Sequence, residues 1–411
     1  MLRARAGTLV LVVVALSAAA CGGGGSSSGS SDSTIKLGVI NPFSGALASG
    51  GVAVTQGYEV AVDEINASGG LLGKQVEIVK GDASTPEQGI SEANRLATSE
   101  NVDVFIGTYL SAVANTASQT AERYGKLYWE TNGLATDLTE RGLSNFVRSG
   151  PSATAFGEVS AESVETLVAP SINKDVQGLK VCLSHEQSIY GESVAIVQEQ
   201  MLSDAGADVV ATVAYDPAAP DLGNVILRCQ EGDPDVWMST GYTSDSNLLL
   251  QTAAQQGFQP AATMLVGSGD TSETQKSVPE ADLSGVFVTS YLHNDAAESY
   301  APGISDFLAA YEKKFTGEPT FPQTMAAYTG AKLLFEAIEK AGSTDPEAIR
   351  KVLPELEKEL GSTAAGFGEK FDDEFQNTLA LPAVVQWQSG KTVTVYPEAA
   401  APEGAKPLAA E

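Results

Sequence analysis

Ile35-Lys-Leu-Gly-Val-Ile40, then Asn41-Pro42, then the turn-rich Phe43-Ser-Gly-Ala-Leu-Ala-Ser-Gly-Gly51, decide how this chain reads. The first run is short and apolar enough for a strand buried in a sheet. Beyond the turn, Val54, Tyr58, Ala61 and Ile65 fall four, three and four apart, which is one face of a helix, and Ser68-Gly69-Gly70 stops it. Gln75-Val-Glu-Ile-Val-Lys80 returns as a strand. Ser84-Thr85-Pro86-Glu87 opens the next helix with a capping hydroxyl, a proline at an early helical position and an acid in the first turn. Val102-Asp-Val-Phe-Ile-Gly107 is a third strand, followed by a polar turn and a helix over 112–124. Such alternation predicts an α/β fold, a parallel sheet covered by helices on both faces.

The rhythm then repeats. Strands at 179–184, 208–214, 235–239 and 262–266 alternate with helices near 191–205, 221–231 and 244–256, so two α/β units stand in tandem with a break near Arg148-Ser-Gly-Pro151. Beyond 290 the pattern turns helical over 303–315, 323–341 and 345–360, becomes broken by glycine, and closes with the strand Ala383-Val-Val-Gln-Trp-Gln388. The Pro-, Ala- and Glu-rich end, 398–411, reads as disordered. The length is too great for one core and suits two lobes.

The first residues give an address. Arg3 and Arg5 precede the apolar run Leu9-Val-Leu-Val-Val-Val-Ala15, then Ser17-Ala-Ala-Ala20 and Cys21. This resembles a bacterial lipoprotein signal over 1–21, whose Cys21 thiol takes a diacylglyceryl anchor. The Gly/Ser stretch 22–33 is a flexible tether, so the chain is expected to be anchored to the outer face of the cell membrane and not to span it. Net charge is −28, and losing the signal's two arginines makes it about −30. That excludes nucleic acid as a partner, which needs a basic face, and argues against docking on anionic head groups.

After Cys21 only Cys182 and Cys229 remain. Outside the cytoplasm a pair is bonded more often than free, and neighbouring βα units bring these two within reach, so a disulfide is expected. The two histidines, His185 and His293, show no ligand spacing with a cysteine, so no metal and no cofactor is expected. Gly-x-Ser-x-Gly occurs only inside the Gly/Ser tether, at Gly25-Ser-Ser-Ser-Gly29, there is no His-Glu-x-x-His or Walker sequence, and Asp372-Asp373 would point to opposite faces of a strand. No catalytic residue is assigned, and the chain does not read as an enzyme.

Gly38-Val-Ile-Asn-Pro-Phe-Ser-Gly45, the segment 57–73 ending in Ser68-Gly-Gly-Leu-Leu-Gly73, Asp103-Val-Phe-Ile-Gly107 with Ser111, Ala135-Thr-Asp-Leu-Thr139, Tyr190-Gly191 and Gly241-Tyr242 stand in one order. In that order they resemble the solute-binding proteins of branched-chain amino-acid-type ABC importers, the leucine/isoleucine/valine-binding group of type I periplasmic binding proteins. The likeness runs from about 35 to 390. It implies two Rossmann-like lobes joined by a three-strand hinge, 34–150 with 289–366 and 151–288 with 367–397, holding ligand between them.

By that resemblance Ser111, at a helix start beyond a strand, takes the ligand's carboxylate with hydroxyl and N–H. The stretch Glu130-Thr-Asn-Gly-Leu-Ala135 completes the clamp through Asn132 and Leu134, the latter standing where relatives often have a Thr hydroxyl. Tyr190 and Tyr242 close aromatic faces over the guest. The acid that relatives use for an amine aligns with Gly269, so Asp270 is its nearest substitute, and Glu130 offers a second acid. Trp129 is expected in the sheet core. The implied partners are a small molecule, an ABC permease with its ATPase subunits and the membrane through the lipid, for a monomer. The ligand is amino-acid-like, a carboxylate or an amide. A sensor of the same fold, signalling to a membrane partner, is the alternative.

Overall fold

The computed structural model describes residues 34–409, and the signal, Cys21 and the tether lie outside them. Thr34–Asn41 (β1) pairs in parallel with Gln75–Asp82 (β2) and Val104–Ile106 (β3). Leu127–Glu130 (β4) and Phe146–Arg148 (β5) complete a parallel sheet in the order β2-β1-β3-β4-β5. The second sheet runs β12-β11-β10-β9-β8-β6-β7. Its parallel part is Lys180–Glu186 (β6), Asp208–Tyr215 (β7), Val236–Thr240 (β8), Ala262–Val266 (β9) and Phe287–Ser290 (β10). Ala383–Gln388 (β11) and Lys391–Tyr396 (β12) add an antiparallel edge. The fold is two parallel-sheet α/β lobes.

Helices follow the strands. Thr85 caps the helix Pro86–Thr98, its hydroxyl accepting the Gln88 N–H while the Gln88 side chain returns the bond, worth about 1 kcal/mol. The helix Gln323–Ala341 lies against Ala48–Ala67 of the first lobe although 256 residues separate their ends, with the carbonyl of Thr324 so close that a Cβ on Gly57 would sit 2.1 Å from it. The chain thus passes between the lobes after Arg148, after Ser290 and again before Ala383. The first and third passages pair directly, Arg148 bridging to Gln376. Cys182 of β6 is bonded to Cys229 of the helix Gly223–Glu231, with Cα atoms 5.5 Å apart, inside the second lobe's core. Closing a loop of 47 residues is worth about 4 kcal/mol in chain entropy.

Several expectations are corrected. Gly50 and Gly51 belong to the helix, not to the turn: a Cβ would meet the Tyr109 ring at 2.5 Å and the Pro42 carbonyl at 2.0 Å, so close approach explains them. The helix expected over 345–360 stops at Val352, and Leu353–Glu355 tightens into one 3₁₀ turn around Pro354. β10 runs to Ser290, so the second crossover starts past the expected 289. The end is ordered as far as Ala409. Ala400 is fully buried and its carbonyl accepts the Ala297 N–H, while Gln386 and Gln388 of β11 hold the backbone of Leu408 and Lys406.

Candidate ligand-binding site

The carboxyl ends of β3 and β4 shape one wall. β3 ends into Gly107, and the loop to Ser111 is strapped down: Asn41 Oδ1 accepts the Tyr109 N–H at 2.8 Å and Glu130 Oε1 the Thr108 N–H at 2.6 Å. Ser111 then starts the helix Ser111–Arg123. Its Oγ accepts two backbone N–H groups, Leu134 at 3.0 Å and Ala135 at 3.1 Å, so both lone pairs are used and its own proton remains to donate.

Loop 131–135 is held from both sides. Glu130 Oε1 accepts the N–H groups of Thr131, Asn132 and Gly133 at 2.8–3.0 Å, besides that of Thr108. Burial raises the Glu130 pKa above the usual carboxylate range, against those four donors, which lower it. On the opposite side Arg148 Nη1 donates to the carbonyls of Gly133, Leu134 and Ala135 at 2.7–3.2 Å. Burial lowers the Arg148 pKa to about 10, still charged at neutral pH.

The second wall is aromatic. Tyr190, in the first turn of the helix Ile189–Asp204, donates its hydroxyl to the Val266 carbonyl at 3.2 Å. Its ring lies 5.5 Å from that of Tyr242, which lies 5.6 Å from Tyr109. Gly267 at φ 79° makes this possible, since a Cβ there would sit 1.9 Å from the Tyr190 oxygen. Burial keeps all three phenols neutral by raising their pKa. From the crossovers come Tyr291, donating to the Asn132 carbonyl at 3.3 Å, and Gln323, whose Nε2 donates to the Gly267 carbonyl at 3.3 Å.

These walls enclose one pocket shared by both lobes, lined by Ser111, Asn132 and Leu134 from the first and Tyr190 and Tyr242 from the second. Its free space is about 20 Å³, enough for roughly one water, so a guest of amino-acid size requires the walls to part. Asp270 and Glu130 are not brought into it. Asp270 Oδ2 pairs with His293 Nε2 at 2.7 Å beside a separate cavity that Lys391 and Thr392 also line. Glu130 faces the backbone behind the loop, and Trp129, fully buried, donates to the Gly330 carbonyl.

Tyr109, Gly267, Tyr291 and Gln323 line the pocket and were missed. Tyr109 shares its strand-end loop with Ser111, a signal that was open to view. Tyr291 follows a strand of four residues, too short to read, and Gln323 reaches the pocket from 212 residues beyond Ser111 in sequence with no local mark. Among the described residues no group of three or more His, Cys, Asp or Glu could hold a metal ion.

The family described as periplasmic binding protein matches residues 34–392. Leu/Ile/Val-binding protein homolog 7 of Brucella suis biovar 1 is 37% identical over 372 residues, 90% of this chain and 93% of its own length. Among solved structures, the leucine binding protein LivK from Thermotoga maritima superposes with a TM-score of 0.76 at 22% identity, over 90% of this chain and 99% of its own. A solute binding protein of an ABC transporter from Rhodopseudomonas palustris, in complex with 3,4-dihydroxybenzoic acid, gives 0.70 at 20% identity, over 92% and 99%. With two parallel-sheet lobes, a pocket walled by both and a relative of this identity along nearly its whole length, the chain belongs to the periplasmic binding protein family.

Proposed function

We propose that this protein is the extracytoplasmic solute receptor of an ABC importer, taking a small molecule between its lobes and presenting the closed form to a permease and its ATPase subunits. The observation that carries this is the pocket walled by residues of both lobes at the carboxyl ends of their strands, where α/β lobes bind ligands and where a hinge motion opens and shuts access. The named relatives, a Leu/Ile/Val-binding protein homolog and an ABC transporter's solute binding protein, support the same reading. Lobes of 34–150 with 291–366 and 151–290 with 367–397 move about the three crossovers. Ser111, Asn132, Leu134, Tyr190 and Tyr242 touch the ligand, while Glu130 positions the loop. A lipid on Cys21 holds the monomer at the outer face of the membrane. Among the described residues no helix is long and apolar enough to cross one.

The test is thermal unfolding of protein refolded from guanidinium to strip carried ligand, against amino acids, amides and aromatic acids. A ligand at a thousand times its dissociation constant adds about 4 kcal/mol, a shift of several degrees. A panel of small solutes that leaves the melting temperature unmoved counts against the receptor reading.

A further inference from the structure

No ionised side chain lines the pocket. Four acids around it each accept from protein donors, with Glu130 Oε2 and Asp270 Oδ1 left over outside the lining. Glu130 holds four backbone N–H groups, Glu186 holds Ser188 and the Gly191 N–H, Asp245 holds Tyr215 and the Tyr242 N–H, and Asp270 holds His293. A zwitterion shut in here would lose the hydration of both its charges with no opposite charge to meet either, a penalty that a neutral guest avoids.

Two groups of the lining, on Ser111 and Gln323, have their hydrogen-bond roles already fixed by the protein. Ser111 has spent both lone pairs on the N–H groups of Leu134 and Ala135, so it offers a proton. Gln323 is 3% exposed, and its Oε1 is buried without a partner. The Nε2 bond to the Gly267 carbonyl fixes which way the amide faces, because the reverse orientation would set two oxygens against each other. An orphaned buried acceptor lining a pocket is unfavourable until a guest supplies a donor. One donor, one acceptor and the flat faces of Tyr109, Tyr190 and Tyr242 together describe a complementary group.

We infer that the pocket selects an uncharged carboxamide-type guest on an aromatic or branched apolar body, its carbonyl accepting from Ser111 and its N–H donating to Gln323 Oε1. Gln323 is then the residue that discriminates amide from acid and from amino acid. The inference rests on the receptor reading above and narrows it.

The experiment is calorimetric titration of the ligand-stripped protein with benzamide, benzoate, benzylammonium, isobutyramide and leucine. The expected result is that an amide binds at least tenfold more tightly than benzoate, benzylammonium and leucine. Gln323→Leu, which removes the acceptor, loses that preference by tenfold or more. Gln323→Glu, of the same shape with an added charge, shifts it toward benzylammonium and serves where the leucine variant fails to refold. Tighter binding of leucine or benzoate than of either amide overturns the inference and leaves the receptor reading standing. So does an unchanged amide preference in the refolded variants. Silence with all five probes also overturns it, and only silence across the wider solute panel reaches the receptor reading as well.

Discussion

Asp245 carries the clearest pH signature in the molecule. It lies in the first turn of the helix Thr243–Gln256, accepts the Tyr242 N–H and the Tyr215 hydroxyl, and is 2% exposed. Burial raises its pKa to about 7, with the Glu186 charge adding to the rise and the two donors opposing it. A carboxyl raised in the folded state binds a proton there that the unfolded chain has already released, so its contribution to stability is full below about pH 4 and is lost as pH rises through 7. The loss reaches about 4 kcal/mol at most. Asp245→Asn should therefore flatten the fall of urea-unfolding stability between pH 5 and 8, and an unchanged slope would remove Asp245 from the account. Single residues of the site were legible where strand ends announce them, as Ser111, Tyr190 and Tyr242 do. Gln323 was not, because only the tertiary packing of its helix on the first lobe brings it to the pocket.

At the scale of elements, the crossover after β5 does more than connect. Arg148 donates its N–H to the Phe375 carbonyl and accepts that of Asn377, its guanidinium holds three carbonyls of the binding loop, and its Nε bonds Gln376. One side chain thus ties loop 131–135 to the third crossover. Lysine keeps the charge but lacks the planar fork, so Arg148→Lys leaves buried carbonyls unpaired, at a cost of about 3 kcal/mol. It should lower stability by that amount and weaken ligand binding at least tenfold. Stability lost with affinity intact would separate the hinge from the loop. Elements were legible in proportion to their length. The run 35–40 and the helix carrying Tyr58 read correctly, whereas β5, β10 and β12 are short or lie beside glycine turns and show no usable period. The tail was misjudged on composition, since its order comes from glutamines of β11 and not from its own side chains.

Over the whole molecule, the order of motifs carried more than any one of them, and it gave the two-lobed architecture that alternation alone left as two units in tandem. The tyrosine cluster across the lobes has an optical consequence. Tyr109, Tyr190 and Tyr242 stand ring against ring at 5.5–5.6 Å, while Trp129 and Trp237 lie in the lobe cores. Phenols so close, fixed in an asymmetric array, couple their electronic transitions and give a strong near-ultraviolet circular dichroism band. A guest that wedges the rings apart should weaken that band while the far-ultraviolet spectrum stays constant. The pocket therefore carries its own label-free reporter, and stopped-flow dichroism should time the opening and shutting of the lobes directly.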